Sequence, residues 1–182
     1  MKKGEEKRWG FTIIEVSLVL AIAGLIFLMV FVALPALQRN QRDTKRRADL
    51  IEYAEAIVDY RRNNREALPK TDINGLIVAA DSTIYTNTAL ASDSWGGFYR
   101  DYLPKPFEDP SGTQYSLRIA VCGSTAGECS NGAATYLSTD KNRIVTVLQA
   151  TCSGEHVVGD SNPKKIAILY KLEGGGIYCN SI

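Results

Sequence analysis

From Val16 to Leu37 the chain runs for 22 residues without a formal charge, and most of them are large and apolar. As a helix rising 1.5 Å per residue this run is about 33 Å long. The hydrocarbon core of a bilayer is about 30 Å thick, so the run can cross it. No other stretch of the 182 residues is comparable. With 23% charged and 45% hydrophobic residues, the chain is neither disordered nor a polytopic membrane protein. Its length fits one domain with an attached element. A formal net charge of +1 gives no general attraction to nucleic acid.

A secretory signal would have an apolar region of about 7–15 residues followed by a small-x-small cleavage site. The run here is longer, and Val32-Ala33-Leu34-Pro35-Ala36 is a poor site of that kind. Ahead of the run stands a short polar segment of ten residues ending in Gly10, carrying Lys2, Lys3, Lys7 and Arg8 against Glu5 and Glu6, and the junction reads Gly10-Phe11-Thr12-Ile13-Ile14-Glu15. A carboxylate at the head of an apolar helix ordinarily reaches toward water at head-group level. Within hydrocarbon, an unpaired charge costs about 2.5–3.5 kcal/mol or more. A cation beside Glu15 would remove much of that cost. If the chain were cut before Phe11, the new α-amine of a neighbouring copy could be that cation.

Gly10-Phe11-Thr12-Ile13-Ile14-Glu15 followed by a long apolar run resembles the class III signal of type IV prepilins and of the pseudopilins of type II secretion. The resemblance implies cleavage between Gly10 and Phe11 by a prepilin peptidase, N-methylation of Phe11 and a role for Glu15 in subunit register. It implies an α+β fold in which a long N-terminal helix, transmembrane in its first half, packs on a small antiparallel sheet. Many members carry a helix-breaking proline where this chain has Val32; here the proline is Pro35.

The helix is expected to continue from about Thr12 to Leu68. Between Gln38 and Leu68 there is neither glycine nor proline, and Leu50, Ile51, Ala54, Ile57 and Val58 recur at helical spacing. Glu52, Glu55, Asp59 and Arg62 occupy the opposite face. The stretch Arg39–Arg47 carries a net charge of +4 against +2 for the leader. A positive-inside count would therefore place the C-terminal domain in the cytoplasm. The signal motif and the cysteines argue for the outside, and that placement is adopted. The basic stretch itself reads as a solvated face or a lipid head-group contact.

From Lys70 to Gly112 small and polar residues dominate, with Trp95-Gly96-Gly97 and Pro104, Pro106 and Pro110, which reads as a connecting loop. Asp109-Pro110-Ser111-Gly112 is a turn signal. Asp93, Asp101, Glu108 and Asp109 have the chemistry of calcium ligands but not the spacing of a known calcium loop, and solvated turn carboxylates are the expectation. Strands are expected at Tyr115–Val121, Thr135–Ser138, Arg143–Ala150 and Ile166–Leu172, with a hairpin turn at 139–142 and a tight turn at Gly174-Gly175-Gly176. Cys122, Cys129, Cys152 and Cys179 allow three disulfide connectivities. An even set beyond a membrane segment suits an oxidising compartment. Cys122 and Cys129 bound a short small-residue loop that could close on itself, leaving Cys152 with Cys179. The longer loop resembles the family's C-terminal disulfide loop.

The chain thus divides into a cleaved leader (1–10), a transmembrane or filament-core helix (11–37), its amphipathic continuation (38–68), a connecting loop region (69–112) and an antiparallel sheet with a disulfide-closed C-terminal region (113–182). The resemblance implies a structural subunit of a type IV pilus, used for adhesion, motility or DNA uptake. The alternatives are a secretion pseudopilin or a minor pilin that binds a surface ligand or DNA. The implied partners are further copies of the chain in a helical filament, other pilins, the prepilin peptidase, an inner-membrane assembly platform and, before assembly, membrane lipid. The subunit would lie in the inner membrane before assembly and in an extracellular pilus afterwards. No cofactor, metal or nucleic acid is expected. Catalysis would have to rest on Cys152 and His156, the only thiol–imidazole pair close in sequence, and is not expected either.

Overall fold

The structure is a computed structural model that describes residues 10–70, 76–78, 84–85, 95–104, 106–122, 129 and 142–182. Residues 1–9 of the expected leader, Asp93, the strand expected at 135–138 and most of the turn expected at 139–142 lie outside the described residues. The chain forms two compact units, one ending at Arg39 and the other running from Asn40 to Ile182. Helix α1 (Ile13–Asn63) contributes to both.

In the first unit α1 has no core to cover. Its most apolar 18-residue window has a mean hydropathy of 2.9 and none of it is buried. This helix is long and apolar enough to cross a membrane. Pro35 lies inside the helix, which remains α-helical across it. Proline removes one backbone donor and one ladder hydrogen bond there without ending the element.

The second unit is α+β. Its main sheet has the strand order β2-β1-β3-β4-β7-β8, formed by β1 (Leu76–Val78), β2 (Ile84–Tyr85), β3 (Ser116–Val121), β4 (Arg143–Leu148), β7 (Ile166–Lys171) and β8 (Ile177–Ser181). One pair departs from the antiparallel expectation: β3 and β4 run parallel, from Ser116 opposite Arg143 to Val121 opposite Leu148. The other neighbours are antiparallel, so the sheet is mixed. A parallel pair needs a crossover rather than a hairpin, and residues 122–142 supply its length.

The helix-facing side of the sheet presents Leu117, Ile119, Ile144, Ile166, Ile168 and Tyr170 to Leu50, Tyr53, Ile57 and Tyr60 of α1. At 0% exposure, the Tyr53 hydroxyl meets Thr146 Oγ1 at 2.7 Å, which satisfies both polar groups inside this core. Ala120, Val145, Val147, Ala167 and Leu169 point to the other side and are also buried. A small second sheet, β5 (Ala150–Ser153) with β6 (His156–Gly159), contributes Ala150 and Val157 to that cluster. Strands β4 and β7 are therefore covered on both faces and read as near-continuous apolar runs.

Three boundaries differ from the sequence reading. Helix α1 stops at Asn63 rather than Leu68: Arg65 (φ 55°) and Glu66 (φ 63°) turn left-handed, and the Glu66 N–H returns to the Arg61 carbonyl at 2.8 Å. That is a Schellman-type cap made without glycine. The strand expected to run to Ala150 breaks at Gln149 (φ 56°), which sends the chain from the main sheet into β5. The region read as a loop contains helix α2 (Trp95–Tyr102), as well as β1 and β2. Its Gly96-Gly97 pair disfavours a helix by about 1 kcal/mol per glycine. Burial of Trp95, Phe98 and Tyr99 at helical spacing overrides that penalty.

Candidate functional site

The residues of the signal motif are all solvent-accessible. Phe11 is 81% exposed, and Gly10 and Glu15 are exposed as well. Thr12 precedes the first helical residue, and its Oγ1 accepts the Glu15 backbone N–H at 3.3 Å. Thr12-Ile13-Ile14-Glu15 thus has the spacing of a capping box, in which the glutamate sits at the third helical position. Its charge is also favourable at the positive end of the helix dipole. Glu15 has a local role at the helix start that any assembly role must be separated from.

A second constellation was not anticipated. The stretch Arg39–Arg47, read as a solvated basic face, instead places Arg46 at the centre of a buried ion cluster. Arg46, with its side chain 7% exposed, donates through Nε to Asp109 Oδ2 at 2.5 Å and through Nη1 to Asp43 Oδ1 at 2.9 Å and Glu173 Oε2 at 3.1 Å. Arg42 forks onto Glu173 at 2.6 and 2.8 Å. Asp43 also accepts the backbone N–H groups of Glu173 (2.9 Å) and Gly174 (2.8 Å). A Cβ at Gly174 would stand 3.0 Å from Asp43 Oδ2, so this close approach favours glycine.

Asp109 is not a solvated turn carboxylate: its side chain is fully buried. It accepts the Ser111 N–H at 2.8 Å and the Tyr170 hydroxyl at 3.1 Å besides Arg46. Its turn closes through Gly112 N–H to the Asp109 carbonyl, with Gly112 at φ 82°. Of the other carboxylates considered for calcium, Asp101 pairs with Arg100, and Glu108 bridges to Gln114 through the backbone. Among the described residues no group of three or more His, Cys, Asp or Glu side chains could hold a metal.

The electrostatics follow from these contacts. Burial pushes the Asp109 carboxyl up, but the bonds from Arg46 and Ser111 outweigh it and hold the group below its usual range. Burial likewise opposes ionisation of Asp43, and the amides of Glu173 and Gly174 with Arg46 bring it below its usual range. The Arg42 guanidinium, against some desolvation and helped by Arg46, lowers Glu173 to about 2. Burial, with Asp49 beside Tyr115 and Asp109 beside Tyr170, raises both phenols, so they stay neutral donors. Every carboxylate of the cluster is ionised and engaged at neutral pH. Chemically this is a clamp: it ties the start of the second-unit part of α1 to the β7–β8 turn and to the Asp109 turn.

That clamp was legible in part. Arg46 and Asp43 lie one and two turns before Leu50 on the stripe that continues to Tyr53 and Ile57, so the buried face extends back into the charged stretch. The partners, Asp109 and Glu173, lie more than 60 residues away in sequence.

The four cysteines form two disulfides, Cys122–Cys129 and Cys152–Cys179, with Cα separations of 5.6 and 5.9 Å. The second bridge ties β5 to β8, joining the small sheet to an edge of the main one. Cys152 therefore carries no free thiol to pair with His156, which is exposed at the first residue of β6. Compared with protein-family models, with curated proteins and with solved structures, the chain matches none.

Proposed function

We propose that this chain is a structural subunit of a type IV pilus, cut between Gly10 and Phe11 by a prepilin peptidase and polymerised into an extracellular filament. One observation carries the reading. A capped helix whose most apolar 18-residue window is wholly uncovered begins three residues after a glycine–phenylalanine junction, with a single carboxylate in its first turn. Such a surface is stable in lipid or against copies of itself, and not in water. Exchange of lipid contacts for contacts between like helices lets the same segment serve as membrane anchor and filament core. The separate α+β unit, with its own core and two disulfides, suits an outer shell exposed to an oxidising environment. Glu15 of one subunit would accept the α-amine of Phe11 in its neighbour and set the register.

The test separates that role from capping. Glutamine is accepted at the third position of a capping box, so Glu15→Gln keeps the helix start and removes the charge. The neighbour's amine would then enter a dry helix bundle unpaired, at a cost of several kcal/mol per subunit. Surface-fibre yield should collapse in both Glu15→Gln and Glu15→Ala while the processed monomer persists in the membrane. Normal fibres from Glu15→Gln would refute the pairing. N-terminal sequencing of the mature protein should begin at methylated Phe11; a chain starting at Met1 would refute the processing.

A further inference from the structure

The β5–β6 ribbon joins the rest of the α+β unit through a narrow neck. The chain leaves β4 at Gln149, whose φ of 56° turns it out of the main sheet, and returns toward β7 at Lys165. Two backbone bonds close the neck. The Asp160 N–H donates to the Gln149 carbonyl at 2.8 Å, and the Ala150 N–H donates to the Lys165 carbonyl at 3.4 Å. Beyond the neck, β5 and β6 form a separate two-stranded sheet. A two-stranded ribbon is only marginally stable by itself. This one contributes little apolar burial: Ala150 and Val157 are its fully buried side chains among the described residues. The main sheet keeps a separate and larger core on its helix side.

Both disulfides converge on one rung of this ribbon. Cys152 of β5 and Val157 of β6 stand directly opposite each other. Cys152 is bonded to Cys179 of β8, and the Val157 carbonyl accepts the Cys129 N–H at 3.3 Å. Cys129 is in turn bonded to Cys122, just after β3. The ribbon is therefore held on its β5 side by sulfur, and on its β6 side by a backbone bond whose donor is itself fixed by sulfur. Val145, Val147, Ala167 and Leu169 of the main sheet lie in the same buried cluster as Ala150 and Val157.

We propose that the β5–β6 ribbon is a redox-gated lid, closed over this apolar sheet face in the oxidised chain and free to swing on the Gln149–Asp160 neck once both bridges are reduced. Reduction by a dithiol breaks each S–S bond into two thiols. The dithiol supplies the two electrons and two protons as it closes to its own disulfide. Without the staples, the little that the ribbon buries no longer holds it down, while the α1-facing core keeps the main sheet folded. Opening uncovers an apolar patch of the kind that associates in water. A chain that has not met an oxidising compartment thus differs from the oxidised one by a surface rather than by its fold. The inference concerns the α+β unit alone and stands apart from the filament reading.

The experiment is hydrogen exchange read by mass spectrometry on the full chain in detergent, oxidised and after dithiothreitol, with alkylation counting the free thiols. Where a bridge resists dithiothreitol, the variant with all four cysteines replaced by alanine stands in for the reduced chain. With both bridges open, amides of the 150–159 peptide should exchange at least about a hundredfold faster, while those of β7 keep their protection. Opening one bridge alone, by Cys152→Ala with Cys179→Ala or by Cys122→Ala with Cys129→Ala, should give a smaller rise, because the other staple still holds the rung. Unchanged protection of 150–159 with both bridges open would overturn the lid. So would a simultaneous loss of protection in 150–159 and β7, which is unfolding of the whole unit.

Discussion

Replacing Arg46 by methionine keeps most of the side-chain stem and removes the guanidinium from a site that is 6% exposed. Asp109, with its side chain fully buried, would lose two hydrogen bonds and its counter-ion. Asp43 would lose one bond and Glu173 another. Removing one partner of a buried pair costs about 3–5 kcal/mol. The lower end applies here. Asp43 keeps the amides of Glu173 and Gly174, Asp109 keeps Ser111 and Tyr170, and Glu173 keeps Arg42. We expect a loss of about 3 kcal/mol, or about 6–12 °C in Tm for a unit of this size. The assay is urea and thermal unfolding of the full chain in detergent, followed by the fluorescence of Trp95, which is fully buried in the core of this unit. Lost stem packing would produce a smaller change that adds to that of Asp109→Asn. A true ion clamp should instead show a coupling of about 1–3 kcal/mol between the two substitutions. A cost below about 1 kcal/mol, or additivity of the pair, would refute the clamp.

The same clamp predicts acid sensitivity. Asp43, Asp109 and Glu173 are all held below their ordinary values, so their contribution is complete above the unfolded-state range near 4.5 and is lost as pH falls toward about 2. Unfolding midpoints should decline across that window, and Arg46→Met should flatten the decline; an unchanged profile in the variant would count against the cluster as its source. Among the disulfides, replacing Cys152 and Cys179 by alanine opens a 27-residue separation and should cost about 3–4 kcal/mol. Opening the 7-residue separation between Cys122 and Cys129 should cost about 2 kcal/mol, and the reverse ranking in urea titrations would contradict the loop-length argument.

The long apolar helix, its amphipathic continuation and three of the strands were legible from the residues because each rests on a local period or run. Twenty-two uncharged residues have few alternatives to a buried or lipid-covered helix. Leu50, Tyr53 and Ile57 recur at a spacing that only a helix places on one face. The turn at Gly174–Gly176 was equally local, with Gly175 and Gly176 at φ 99° and 82°. Helix α2 was missed because glycine propensity was weighed without the aromatic core that rewards Trp95 and Phe98 for burial.

The tertiary structure decided what the charges do. Along the chain, Arg42, Lys45, Arg46 and Arg47 form a basic flank whose count conflicts with the topology the signal motif implies. In the fold, Arg42 and Arg46 meet Glu173 and Asp109, and Arg47 lies 5.7 Å over the Tyr178 ring, so the flank has structural reasons to be basic. Strand pairing was decided in the same way: nothing local distinguishes a parallel β3–β4 pair from an antiparallel one, because register and direction depend on where the crossover lands. A local period reports which side of an element is apolar. Whether a carboxylate is solvated or sealed against arginine depends on residues more than 60 positions away, and only the folded chain brings them within hydrogen-bond distance.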